Sequence, residues 1–146
     1  MKRIALIGVT SSIGEEIARE CAVPNVRFYL TGRDSKRLAQ IGADLEIRGA
    51  QSTITEHVDL TDCSCTYGLS ARAAKALGGL DIVIFVAGQL PDQDELNWDS
   101  QRLRETMEIN TTTAMVLLNE TAAFFEQQGH GQIVAIGSVA GDRGRA

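Results

Sequence analysis

The sequence predicts an α/β fold, a doubly wound parallel sheet with helices on both faces, and three observations predict it. Five short apolar runs recur along the chain, segments with helical spacing separate them, and a turn rich in glycine and hydroxyl residues joins the first run to the first helix. The 146 residues suit one compact domain over 1–146, with no linker, repeat or low-complexity segment to divide it.

The runs cover residues 4–7, 26–30, a weaker stretch at 52–58, then 82–86 and 133–136. Two of them are almost continuous in isoleucine and valine, as strands buried on both faces tend to be. After the first run, Ile13, Ile17, Ala18 and Cys21 fall on one helical stripe, and Pro24 stops it. Leu69, Ala73, Ala76 and Leu77 form a second stripe, ended by Gly78 and Gly79. A longer helix is expected from Asp99 or Ser100 to about Phe125, closed by Gly129 and Gly131. The alternation of strand and helix implies right-handed crossovers in one sheet. The chain stops ten residues after its fifth run, so the last unit reads as cut short before a sixth strand.

Composition narrows the function classes. Net charge is −5 with no basic cluster, which argues against nucleic acid as a partner. The three cysteines, Cys21, Cys63 and Cys65, are odd in number and lack metal spacing, which points to a reducing compartment and to small fillers. No metal site is expected; His57 and His130 are lone histidines on the surface or in strands. Met1-Lys2-Arg3 precedes an apolar run too short for a signal peptide, and no stretch reaches the roughly 18 apolar residues of a membrane span. A soluble cytoplasmic protein is the expectation. Trp98 and Phe124-Phe125 are expected in the core or at an interface.

The turn after the first strand reads Gly8-x-x-x-Ser12-x-Gly14. In a doubly wound sheet this turn faces bound phosphates, and the next helix presents its N-terminus to them. Gly8 allows the tight turn, Gly14 allows helix to pack on strand, and Thr10, Ser11 and Ser12 add hydroxyl donors. A P-loop is excluded because no Gly-Lys-Ser/Thr follows, and the ordinary dinucleotide fingerprint is excluded by the glycine spacing. A hydroxyl-rich turn that merely caps the helix is the alternative.

This strand, turn and helix resemble the cofactor loop of the short-chain dehydrogenase/reductase family, whose pattern is Gly-x-x-x-Gly-x-Gly; Ser12 replaces the middle glycine. Further positions match in order. Asp59-Leu60 resembles the pair that contacts adenine. Val86-Ala87-Gly88 resembles the family's Asn-Ala-Gly, its asparagine replaced and its small residues, which admit the adenosine ribose, retained. Asn110 in Met107-Glu108-Ile109-Asn110 resembles the helix-borne asparagine of the catalytic tetrad, and Gly131-x-Ile133-Val134-x-x-x-Ser138 resembles the strand that leads to the catalytic serine. The wording of three loops, "GVTSSIG", "AGQLPDQ" and "GSVAGDRGRA", is most similar to a bacterial subgroup containing decaprenylphosphoryl-2-keto-ribose reductases.

The resemblance implies a Rossmann fold with strand order 3-2-1-4-5. It also implies hydride transfer between a nicotinamide cofactor, NAD(P)(H), and a small carbonyl or alcohol substrate such as a keto-sugar or glycan precursor. Gly8, Thr10, Ser11, Ser12, Ile13, Gly14, Asp59, Leu60, Ala87 and Gly88 are the implied cofactor contacts; Ser138 and Asn110 are the implied catalytic residues. Asn110 is either an exposed surface residue or a kink whose freed carbonyl holds a water for proton relay. Ser138 is either a turn residue or a hydrogen-bond donor to the substrate oxygen. Arg33 follows the second strand, where an acidic residue would select NAD(H); its guanidinium can pair with a 2′-phosphate, which favours NADP(H). Asp34 reads as a cap for the next helix. The family's Tyr-x-x-x-Lys pair is missing: Tyr29 is followed four places on by Arg33, and Tyr67, placed in the third helix, by Ala71. The 146 residues by themselves are therefore expected to be inactive, and a non-catalytic dinucleotide-binding module is the alternative. The helix around 100–125 is expected to pair copies into a homo-oligomer.

Overall fold

The computed structural model describes residues 1–138 and Gly141. β1 (Lys2–Ile7) leads through α1 (Ser12–Glu20) to β2 (Val26–Gly32), and α2 (Ser35–Arg48) leads on to β3 (Ser52–His57). Two helices, α3 (Cys63–Thr66) and α4 (Leu69–Leu77), return the chain to β4 (Ile82–Phe85). Then follow α5 (Gln93–Trp98), α6 (Ser100–Met107), a π-helical turn (Glu108–Thr113), α7 (Ala114–Gln128) and β5 (Gln132–Ala135). All pairings are parallel, in the order β3-β2-β1-β4-β5, as expected of this Rossmann-type alternation.

Side chains alternate across a strand, so each one feeds two cores. Ile4, Leu6, Phe28 and Leu30 pack on one face against Leu38, Ile41 and Leu45 of α2. Ala5, Ile7, Tyr29, Val83 and Phe85 pack on the other against Leu69 and Leu77 of α4 and Leu117 and Phe125 of α7. The register aligns Leu6 with Leu30 and Ile84, so the apolar rows run straight across the sheet. Each fully buried leucine in these rows contributes roughly 1.5–3 kcal/mol.

Several boundaries differ from the sequence expectation, each for a physical reason. β1 begins at Lys2 because Asp81 draws Arg3 into the sheet: its guanidinium donates to Oδ1 at 2.7 Å and to Oδ2 at 3.0 Å, and its main-chain N–H donates to Oδ2 at 2.8 Å. That pairing holds the Asp81 carboxyl below the usual carboxylate range. β3 is weakly apolar because it is an edge, and Glu46 covers it by accepting from Thr53 N–H at 2.8 Å and Thr53 Oγ1 at 2.9 Å.

The stripe expected of α1 holds for Ile17, Ala18 and Cys21, which pack against the core, and fails at Ile13. A Cβ at Gly14 would lie 2.9 Å from Gly8 O and Val9 Cα, so the helix docks through its Gly14 edge. Gly14, Glu15 and Ala18 are buried, and Ile13, one step round the helix, is turned out. The long helix does start at Ser100, where Asp99 accepts from the N–H groups of Gln101 and Arg102 at 3.0 and 2.9 Å, and it closes at Gly129 with φ +79°. The π-turn interrupts it.

α3 and α5 are short helices without an apolar stripe, which helical spacing alone does not predict. Tyr67 lies in the turn between α3 and α4, not in a helix, and is exposed. Trp98 is 91% exposed and so belongs to no core of this chain, whereas Phe125 is buried and Phe124 half-buried. Cys21 and Cys65 are half-buried free thiols, and His57 and His130 are exposed. Of the "GSVAGDRGRA" stretch, residues 139, 140 and 142–146 lie outside the described residues. Among the described residues, no helix is long and apolar enough to cross a membrane.

Candidate functional site

A cleft opens at the carboxyl ends of the strands. Gly8, Thr10 and Ser11 line it after β1, Thr31, Gly32 and Arg33 at and beyond the end of β2, Val58 and Leu60 after β3, and Ala87, Gly88 and Gln89 after β4; Ile109 of the π-turn completes it. The strand order reverses between β1 and β4, so the cleft sits at the switch point where open α/β sheets bind ligands.

The β1–α1 turn is held by β2 and by its own Ser11. The N–H groups of Gly8 and Val9 both donate to Thr31 O at 3.1 Å, tying the turn to β2. Ser11 Oγ accepts from Gly14 N–H at 3.0 Å and donates to Gly8 O at 3.2 Å, so this hydroxyl caps α1 as well as lining the cleft. The helix-capping alternative and the ligand-facing reading therefore hold together for one residue. Gly8 has φ +87°, and a Cβ there would lie 2.8 Å from Ala87 N, Cα and Cβ, so only glycine lets the two loops touch. Thr10 covers Gly32, whose hypothetical Cβ would meet Thr10 Cγ2 at 2.9 Å.

Arg33 stands exposed at the rim and makes no hydrogen bond among the described residues. Asp34 caps α2 as expected, accepting from Arg37 N–H at 2.9 Å. Asp59 points its carboxylate at Thr61, whose N–H and Oγ1 donate at 2.9 and 2.8 Å. These donors hold the carboxyl below its ordinary range against the cost of burial, and Arg33 and His57 add a weaker attraction. Asp59 is not part of the cleft lining, whereas Val58 and Leu60 on either side of it are.

The π-turn builds the opposite wall. An inserted residue widens the helix there, a feature frequent at functional sites. Asn110 Oδ1 accepts from Gln89 N–H at 2.8 Å, and its Nδ2 donates to Gln89 O at 2.7 Å. Three residues on, the buried Thr113 Oγ1 donates to Leu60 O at 2.8 Å. One turn thus grips two lining segments and supplies Ile109 between them.

The structure therefore brings Gly8, Thr10, Ser11, Arg33, Leu60, Ala87 and Gly88 together at one cleft, with Asn110 behind it. Ser12 and Ile13 lie exposed on the first turn of α1, and Gly14 is buried under it; none of the three lines the cleft. Ser138 lies beyond β5, exposed and outside the lining, and its carbonyl accepts from Gly141 N–H at 3.0 Å. Thr31, Gly32, Val58, Gln89 and Ile109 line the cleft without being among the expected contacts; all but Thr31 directly flank a residue that is. Among the described residues no group of His, Cys, Asp and Glu could hold a metal ion.

The short chain dehydrogenase family model matches residues 2–146. The dehydrogenase/reductase SDR family member 7B of Danio rerio is 30% identical over 145 residues, which is 96% of this chain and 47% of that protein. The L-rhamnose 1-dehydrogenase (NAD(P)(+)) of Azotobacter vinelandii is 28% identical over 94% of this chain and 56% of its own length. A solved short chain dehydrogenase/reductase family protein superimposes with a TM-score of 0.82 at 28% identity, over 97% of this chain and 57% of that one. An actinorhodin polyketide ketoreductase solved with NADPH shares the fold, with a TM-score of 0.86 at 23% identity over 99% of this chain and 56% of that one. The chain spans about half the length of the relatives it matches.

Proposed function

The chain belongs to the short-chain dehydrogenase family, and from that premise we propose that it is the cofactor-binding part of an oxidoreductase that prefers NADP(H) and acts on a small carbonyl or alcohol compound. One observation carries the preference. Where an acidic residue would bind a ribose 2′-hydroxyl, β2 ends in Gly32 covered by Thr10, and Arg33 stands next to it with a guanidinium that makes no hydrogen bond among the described residues. A carboxylate-bearing side chain at Gly32 would collide with Thr10, while Arg33 offers a charged fork to a 2′-phosphate.

In this reading the bound cofactor supplies the hydride, and the chain's own residues hold it. Thr10 and the N–H groups of Ser12 and Ile13 at the start of α1 bind the pyrophosphate, since such groups have no intrahelical acceptor, while Gly14 N–H is taken by Ser11. Val58 and Leu60 give the adenine an apolar seat, and Ala87 and Gly88 let a ribose approach the sheet. Asn110 positions the wall after β4, and Ser138 hydrogen-bonds the substrate oxygen. The proton at that oxygen needs a Tyr-x-x-x-Lys pair, which these 146 residues do not contain. A keto-sugar or glycan precursor is the proposed substrate class, on loop wording alone. A non-catalytic module is not favoured, because the relatives described above are named as dehydrogenases. Met115 and Val116, 67% and 52% exposed on α7, support pairing of the long helix with a second copy, and the free Cys21 and Cys65 support a cytoplasmic setting.

Titration of the protein with NADPH and NADH tests this reading. Arg33→Ala is expected to weaken NADPH about 10- to 100-fold, the range for hydrogen bonds to a charged group, and NADH hardly at all. Equal losses would overturn the preference, and no binding of either by the wild type would overturn the function.

A further inference from the structure

We propose that Gln89 is a cofactor-contacting residue whose carboxamide oxygen accepts a hydrogen bond from a ribose hydroxyl of the dinucleotide. This rests on the reading that the cleft binds a nicotinamide dinucleotide. Gln89 lines the cleft immediately after Gly88. Its Oε1 is buried and has no hydrogen-bond partner, the one side-chain oxygen or nitrogen in that condition among the described residues. Buried acceptors are nearly always paired, because leaving one unpaired forfeits its hydration without return. A polar group kept in that state beside a cleft is what a missing ligand donor would explain.

The geometry around it selects the donor. Both main-chain polar groups of Gln89 are fixed by Asn110, so the root of the side chain does not wander. Its neighbours Ala87 and Gly88 carry no side-chain donor. A Cβ on Gly8 would lie 2.8 Å from Ala87, so the Gly8 turn, the proposed pyrophosphate seat, packs directly on Ala87, two residues before Gln89. Each phosphate of a dinucleotide is bonded directly to a ribose. The groups that reach the β4 wall beside that seat are therefore sugars, whose hydroxyls are donors, whereas the phosphates are acceptors only.

Gln89→Met keeps the length and bulk of the side chain while removing the acceptor and leaving the Asn110 bonds in place. The expected result has two parts. The Kd for NADPH rises about three- to tenfold, the loss of one neutral hydrogen bond. The melting temperature of the ligand-free protein stays level or rises, because an unpaired buried acceptor has gone. If the wild type binds NADPH and Gln89→Met binds it with less than a threefold loss, the inference falls and the reading of the cleft stands. A variant that melts several degrees lower makes Gln89 a structural residue and also overturns the inference. Failure of the wild type to bind NADPH removes both.

Discussion

The wall of the cleft built from the β1–α1 turn is held mainly from within, with a tie to Thr31 of the neighbouring strand, whereas the wall opposite is held by a helix that arrives much later in the chain. In the first wall Gly8, Ser11 and Gly14 lie within seven residues, and Ser11 Oγ bonds both glycines. In the second, Asn110 reaches Gln89 across 21 residues and Thr113 reaches Leu60 across 53. The difference is between geometry fixed by local backbone needs and geometry fixed by tertiary contact. It teaches which part of a binding site tolerates change: a self-held turn fails when its own residues change, and a remotely held wall fails when its clamp does.

The sharpest way to break the comparison is at Gly8, where the two walls touch. Gly8→Ala adds a Cβ 2.8 Å from the Ala87 backbone at a residue with φ +87°, and is expected to destabilise the protein by about 3 kcal/mol. Urea denaturation would measure the loss, and a change below about 1 kcal/mol would mean the loops are free to part. Asn110→Ala comes next. It removes both bonds to Gln89 and is expected to cost about 1–2 kcal/mol, with water replacing part of the loss because Asn110 is exposed. Amide exchange should quicken at Gln89 and Leu90 and stay unchanged from Gly8 to Gly14; quickening on both sides would show that the walls are not independent.

Ser11→Ala is the counterpart in the first wall. Loss of the cap on α1 is expected to cost about 1 kcal/mol, and Ser11→Asp, which keeps an acceptor, should recover most of it. Thermal melts of the two variants would decide. The smallest effect is a pH dependence at Asp59. Its carboxyl is held below its ordinary value by the Thr61 donors, so its contribution is fully present above the unfolded value of about 4. That contribution fades as pH falls through the lower folded value. Asp59→Asn should therefore narrow the stability gap between pH 6 and pH 3, and an unchanged gap would discount the Thr61 bonds.

The same contrast explains what the sequence disclosed. The apolar runs, the glycine-bounded helix Leu69–Leu77 and the Gly8 turn are set by neighbours in the chain, and their positions followed from spacing. Arg33 and Asp34 were legible for the same reason, one at a strand end and one at a cap. Asn110 stood out as a poor helix former, but nothing near it in sequence reveals that Gln89 is its partner or that the helix carries an extra residue there. The outward turn of Ile13 follows from the close approach of Gly14 to Gly8 and Val9, which the apolar spacing of the stripe does not record. Gln89 itself gave no signal, since an unpaired acceptor exists only once the surrounding atoms are in place.

Asn110 and Thr113 grip main-chain atoms alone: the N–H and carbonyl of Gln89 and the carbonyl of Leu60. Nothing in that hold depends on which side chains those positions bear. The aperture on this side is thus a property of the helix, and the loop sequences can drift to suit a new occupant without the opening itself being rebuilt.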